Sequence, residues 1–186
     1  MVYRLRSLPV SNEAFMYPVN SFLSQTIKKS DEIKVVLLIK NDGNAYCYDN
    51  VANYKTEIEA FCNRINNLPK YEVIETDFDQ TKDTHAQLLG SIIDAIDNGS
   101  HIIADVTYGP KDLPIVVFSA LFFAENYLQC DIDNIIYGQA FFEDNKVVRS
   151  NICDMIPLYY LSSLSNTINC DDPQKARLMI KSLLSI

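Results

Sequence analysis

The sequence predicts an α/β domain: a mainly parallel, Rossmann-like sheet with helices on both faces, three layers in all, followed by a C-terminal hairpin and helices. Three observations lead there. Strand-like runs recur at residues 33–39, 71–76 and 102–106, the first and last nearly unbroken in apolar residues, as strands covered on both faces require. Between them the apolar residues recur every three or four positions, the helical period. Strand and helix alternate, and such chains close into a parallel sheet through right-handed crossovers.

Taken in order, residues 2–7 form a first strand candidate, Tyr3 and Leu5 on one face and Arg4 and Arg6 on the other. Residues 8–18 are irregular and read as the first strand-to-helix loop, with Ser11 and Asn12 as its exposed polar groups. Val19, Phe22, Leu23 and Ile27 follow helical spacing, and Lys28 and Lys29 suit a helix C-terminus. The second strand is 33–39, and 41–50 reads as a surface loop. Tyr54, Ile58, Phe61, Cys62 and Ile65 make an amphipathic helix. After the strand at 71–76, residues 77–83 are an acidic connection, Thr84 is placed to cap a helix, and Asn98-Gly99 stops it. His85 opens that helix and so faces the carboxyl edge of the strands, though on an outer one. His101 begins a strand, at the opposite end.

The fourth strand, residues 102–106, hands over to a helix through Thr107-Tyr-Gly-Pro-Lys111. Gly109 and Pro110 are turn formers, Asp112 is placed to cap the helix, and Pro114 sits where the first turn needs no N–H. Such a joint aims backbone N–H groups beyond the strand end, which suits a phosphate, and Lys111 adds a mobile positive charge. The helix 113–128 is apolar nearly all round, which requires burial or a subunit interface. A fifth strand spans 134–138 with Tyr137 and Gln139 at its carboxyl end. Residues 140–148 read as a hairpin around Glu143-Asp144, and 155–164 as a short helix. Asp172-Pro173 opens the last helix, N-cap followed by Pro. The expected domain is 1–164, with 165–186 as a C-terminal helix that packs on it or leads to an effector domain. A strand order of 3-2-1-4-5 would bring Ser11 and Asn12 beside Thr107, Tyr108 and Lys111 at the point where the order reverses.

The net charge of −8 repels duplex nucleic acid and anionic membrane. No apolar run reaches the ~20 residues of a membrane span, and the N-terminus lacks a signal-peptide layout. Five cysteines without a CxxC pair fit free thiols in a reducing cytoplasm, with no disulfide framework or zinc site. No Gly-rich nucleotide fingerprint is present. Glu32-Ile-Lys34 matches the Glu-x-Lys pattern of metal-dependent nucleases but reads as strand-edge charge.

Asp105-Val-Thr-Tyr-Gly-Pro-Lys-Asp-Leu-Pro114, the apolar helix after it, and Asn134-Ile-Ile-Tyr-Gly138 resemble the CRISPR-associated Rossmann fold (CARF) family. Asn151-Ile-Cys-Asp-Met155 is similar to that family's tail. The resemblance implies a homodimer that holds a cyclic oligoadenylate, a tetra- or hexa-adenylate ring, across its two-fold axis, as sensor of type III CRISPR antiviral defence. It implies ligand contacts from Thr107, Gly109 and Lys111 and from the first-strand loop, Ser11 and Asn12. Tyr108 and Pro110 complete the same turn, and Tyr17, Tyr108, Tyr137 and Gln139 are the aromatic and hydrogen-bonding groups that could face the adenines. No cofactor or metal is implied. One option within that reading is a ring nuclease, which works by attack of the ribose 2′-OH on its own phosphate, with Lys111 stabilising charge and Ser11 or Thr107 positioning. The residues after the helix at 155 are too few for a nuclease domain, and no Arg-to-His ribonuclease pattern is present. Two other readings stand beside it: a mononucleotide-binding α/β enzyme of another kind, and a protein-interaction module with a degenerate pocket.

Overall fold

The computed structural model describes residues 8–144, 146–167 and 170–184. The strand expected at 2–7 lies outside them. The chain divides into two compact units, with the break between Asp154 and Met155.

The larger unit is a mixed α/β arrangement. In order it runs α1 (Pro18–Thr26), β1 (Lys34–Asn41), α2 (Tyr46–Cys62), a 3-10 turn (Asn63–Ile65), β2 (Lys70–Asp77), α3 (Lys82–Ala95), β3 (His101–Asp105), α4 (Leu113–Tyr127), β4 (Asp131–Glu143) and β5 (Lys146–Asp154). β1 and β2 pair in parallel from Lys34↔Lys70 to Asn41↔Asp77. β3 and β4 pair in parallel from His101↔Asp131 to Asp105↔Ile136, and β5 returns antiparallel on β4. Among the described residues these are two sheets, β1-β2 and β3-β4-β5. α1 packs on α2, β3 and β4, and α3 packs on β2 and α4. One core joins Phe15, Val19 and Phe22 to Ile58 and Phe61 of α2, and to Ile136 and Ile152 of the sheet. Burying side chains of this size contributes roughly 1.5–3 kcal/mol each.

Several elements differ from their expected bounds. α2 begins at Tyr46, inside the segment expected as a loop. The Asn41 side chain takes the Gly43 N–H and Asp42 takes the Asn44 N–H and the Tyr46 hydroxyl, so the turn closes within a few residues. α3 is capped by Thr81 rather than Thr84: the Thr81 hydroxyl accepts the Thr84 N–H at 3.2 Å. α1 stops at Thr26, ahead of the two lysines, because Ile27 is extended (ψ 135°) and the Lys28 N–H turns to Asp31. β4 does not end at Gly138; it continues to Glu143 and carries the hairpin as its own extension.

The smaller unit holds α5 (Ile156–Thr167) and α6 (Pro173–Leu184). Asp172 caps α6 by accepting the Gln174 N–H at 2.8 Å, as its position before Pro173 predicts. No helix among the described residues is long and apolar enough to cross a membrane.

Candidate functional site

The turn after β3 is held from below and open above. The Asp105 carboxylate accepts the Thr107 N–H at 2.8 Å, and the Thr107 hydroxyl accepts the Gly138 N–H at 2.8 Å. Burial pushes the Asp105 carboxyl up, against hydrogen bonds from Thr107 and from the Val19 N–H. The Thr107 side chain is therefore occupied inside the protein and ties the turn to β3 and β4. Gly109 has φ +107°, and a Cβ there would lie 2.7 Å from the Leu113 side chain, so this position needs glycine. Tyr108, Gly109 and Lys111 are exposed. Their three N–H groups donate to no acceptor among the described residues, and the Lys111 ammonium makes no ion pair among them. Burial, with Asp105 second, pushes the Tyr108 phenol up to about 12, and the protonated hydroxyl donates to the Met16 carbonyl at 2.9 Å.

The loop before α1 reaches this turn through Met16 and Tyr17. Tyr17 is buried, edge-on to both Tyr54 and Tyr108, with its hydroxyl on the Asn50 carbonyl. It is packing rather than an open slot. Ser11 is buried too: its N–H meets Ser21 and its hydroxyl accepts the Glu13 N–H at 3.0 Å. Asn12 is exposed. The N-terminus of α1 is already filled by a carboxylate. Glu57 of α2 accepts the N–H groups of Met16 at 2.5 Å and Tyr17 at 3.2 Å and the Asn20 amide at 2.9 Å. An acid there satisfies the helix dipole and its free donors.

Tyr137 and Gln139 flank Gly138. A Cβ on Gly138 would lie 2.1 Å from the Pro18 ring and 3.2 Å from Thr107, so this face of β4 is pressed against α1 and the turn. Successive strand residues alternate faces. Tyr137 and Gln139 therefore lie on the opposite face from the Thr107 side chain, and in mid-strand rather than at a carboxyl end.

Beside the turn stands a group the sequence reading did not assemble. Asp112 occupies the N-cap position of α4, yet its backbone is helical and its side chain caps nothing. Its Oδ2 instead meets His85 Nε2 at 2.9 Å and Lys40 Nζ at 3.5 Å. Lys40 also donates to the Asp79 carbonyl at 3.1 Å, and its side chain is only 3% exposed. Asp79 in turn accepts from the Thr84 hydroxyl. Asp112 Oδ1 is buried without a partner. Burial pushes the Asp112 carboxyl up, but the bond from His85, its own N–H and Lys40 outweigh that, and the net is below the ordinary carboxylate range. The only sequence signals were a lysine closing an apolar strand and a histidine opening a helix. The remaining histidine, His101, lies at the start of β3 against Asp133 and is exposed. Glu32 and Lys34 pair with Lys70 and Glu72, strand-edge charges as expected.

No protein-family model matches the chain, and no curated protein does.

Proposed function

We propose that this chain is a CARF-type sensor domain, its two sheets parts of one Rossmann-like three-layer body, which binds a cyclic oligoadenylate across the two-fold axis of a homodimer. The observation that carries the reading is the turn at 107–111. Three backbone N–H groups without acceptors among the described residues, a glycine with positive φ and a lysine without an ion pair among them lie together beyond the carboxyl end of β3. Such a cluster suits a phosphate diester: fixed donors orient its oxygens and the ammonium supplies charge. The seat at α1 is filled by Glu57, which leaves the turn as the donor-rich place for an anion. The dimer is supported by α4, which begins at the turn and shows solvent an apolar stripe of Ile115 (69% exposed) and Phe122 (40% exposed). A two-fold body presents the same donors to each half of a two-fold ring.

Titration of the protein with rings of three to six adenylates tests this. The expected result is saturable binding of the four- or six-membered ring, lost in Lys111→Ala with unchanged thermal unfolding. No binding by the parent protein rejects the reading and leaves an interaction module.

A further inference from the structure

We infer that α6 is an exchange helix: its basic and apolar face docks on an acidic, aromatic patch at the carboxyl ends of β1 and β2 of a second copy of this chain. The inference goes beyond the sensor reading and needs no ring. α6 is 12 residues long and buries none of them. A helix of that length is marginal in water unless its apolar side is covered. Met179, Leu183 and Leu184 are all exposed. Lys175 stands one turn before Met179, and Arg177 and Lys181 run along the helix into Leu184, so bases border the apolar stripe. α6 contains no acid, although the whole chain has a net charge of −8. Its three bases make no ion pair among the described residues.

The patch is opposite in charge and also shows apolar surface. Tyr46, Tyr48 and Phe78 are exposed. Hydrogen bonds tie them into one surface. The Phe78 N–H donates to the Asn41 carbonyl at 2.9 Å. The Asn41 amide and the Tyr48 hydroxyl donate to Glu75 at 2.8 and 2.6 Å, and the Tyr46 hydroxyl donates to Asp42 at 2.7 Å. Asp49 lies one turn after Tyr46 on α2, and Asp77 shares the exposed face of β2 with Glu75. Asp42, Asp49, Glu75 and Asp77 make no ion pair among the described residues. Carboxylates around exposed rings attract what α6 presents, cations set beside aliphatic side chains. Nucleic acid and anionic membrane also attract bases, but the acidic remainder of the chain repels both. A second copy brings the matching acid. The exchange is reciprocal across a two-fold axis, so the same pair of surfaces is used twice.

The test is a charge swap read by sedimentation velocity at low salt. Every protein in it carries Ile115→Glu, which disables the α4 contact of the proposed dimer, so that only the exchange is read. One variant reverses α6 (Lys175→Glu, Arg177→Glu, Lys181→Glu). Another reverses two exposed acids of the patch (Asp49→Lys, Asp77→Lys). The unreversed protein is expected to be a dimer. Each reversed variant alone is expected to dimerise about 10²-fold more weakly, since like charges then face each other. Mixed one to one, the two variants are expected to dimerise again, because each α6 meets a patch of opposite sign. Misfolded proteins do not restore one another in this way. An unreversed protein that stays monomeric overturns the inference, as does a dimer that survives either reversal. A mixture that stays monomeric also overturns it, and is the result expected if α6 folds back on its own chain. Ring binding is measured separately, on the chain with Ile115 intact, so the two readings fail independently.

Discussion

Replacing Lys40 with Met should unfold this protein far more readily than a surface lysine would. The substitution keeps the aliphatic stem and removes the ammonium, whose side chain is 3% exposed against 12% for its partner Asp112. Breaking a buried ion pair by removing one member costs about 3–5 kcal/mol, since the other charge stays behind in a poorly solvated place. Two features set the value at the low end. The contact is 3.5 Å, longer than the ~2.8 Å of a strong charge-assisted bond. His85 also remains as a second partner at 2.9 Å. Against this, Asp112 Oδ1 already lacks a partner, so nothing compensates on that side. We expect a loss of about 3 kcal/mol, or a fall of about 1–3 M in the urea midpoint at a slope of 1–3 kcal/mol/M. The assay follows unfolding by circular dichroism and tyrosine fluorescence together, and coincident curves establish one transition. Adding Asp112→Leu to Lys40→Met should recover much of the loss, because replacing both members with apolar groups is often neutral. A loss below about 1 kcal/mol, the range of exposed pairs, would refute the claim that this network fastens the turn.

Other outcomes follow from the same geometry. Gly138→Ala should cost about 1–3 kcal/mol by overpacking, since its Cβ would meet the Pro18 ring at 2.1 Å, and calorimetry should show the lower melting temperature. Gly109→Ala should lose about 1–3 kcal/mol from its φ of +107°, and trimming Leu113 to Ala should not restore it, because the strain lies in the backbone. Asp112 has a folded pKa below its unfolded value, so its contribution is present above about pH 4 and is lost as pH falls through the folded value; the stability gap between the parent and Asp112→Asn should therefore shrink below that pH in urea titrations. Thr81→Ala should cost about 1 kcal/mol and Thr84→Ala should disturb the Asp79 contact instead, and hydrogen exchange in the first turn of α3 separates the two.

Much of the layout was legible because period and turn chemistry carry it. The apolar run at 33–39 is strand β1, the apolar segment at 113–128 is α4, and Gly109 sits at a positive φ as its place beside Pro110 suggests. What was not legible depends on contacts between distant residues. Thr84 and Asp112 look like caps from their local sequence, yet the cap of α3 is three residues earlier and Asp112 prefers two partners from β1 and α3. Tyr17 looks like an available aromatic, and only the packing of Tyr54 and Tyr108 removes it. Glu57 carries no local mark at all, because its three donors lie some forty positions away.

Glu57 also bears on where charge is admitted. Two helices begin beside the turn after β3, α1 and α4, and each offers an anion seat in principle. At α1 the seat is closed by a carboxylate with three donors, and Pro18 at the first helical position removes one N–H besides. At α4 the first-turn N–H groups of Leu113, Ile115 and Val116 bond back to Pro110 and Asp112, so the helix end itself is also spent. What stays open is the turn before it, where Gly109 breaks the backbone pattern and frees the neighbouring donors. An anion bound there would meet Lys111 directly, while the Asp112 carboxylate beside it is turned to Lys40, which supplies its counter-charge, and to His85. Lys40→Met would leave that acid under-compensated beside the seat, so it should weaken anion binding as well as folding. Lys111→Ala should weaken binding alone.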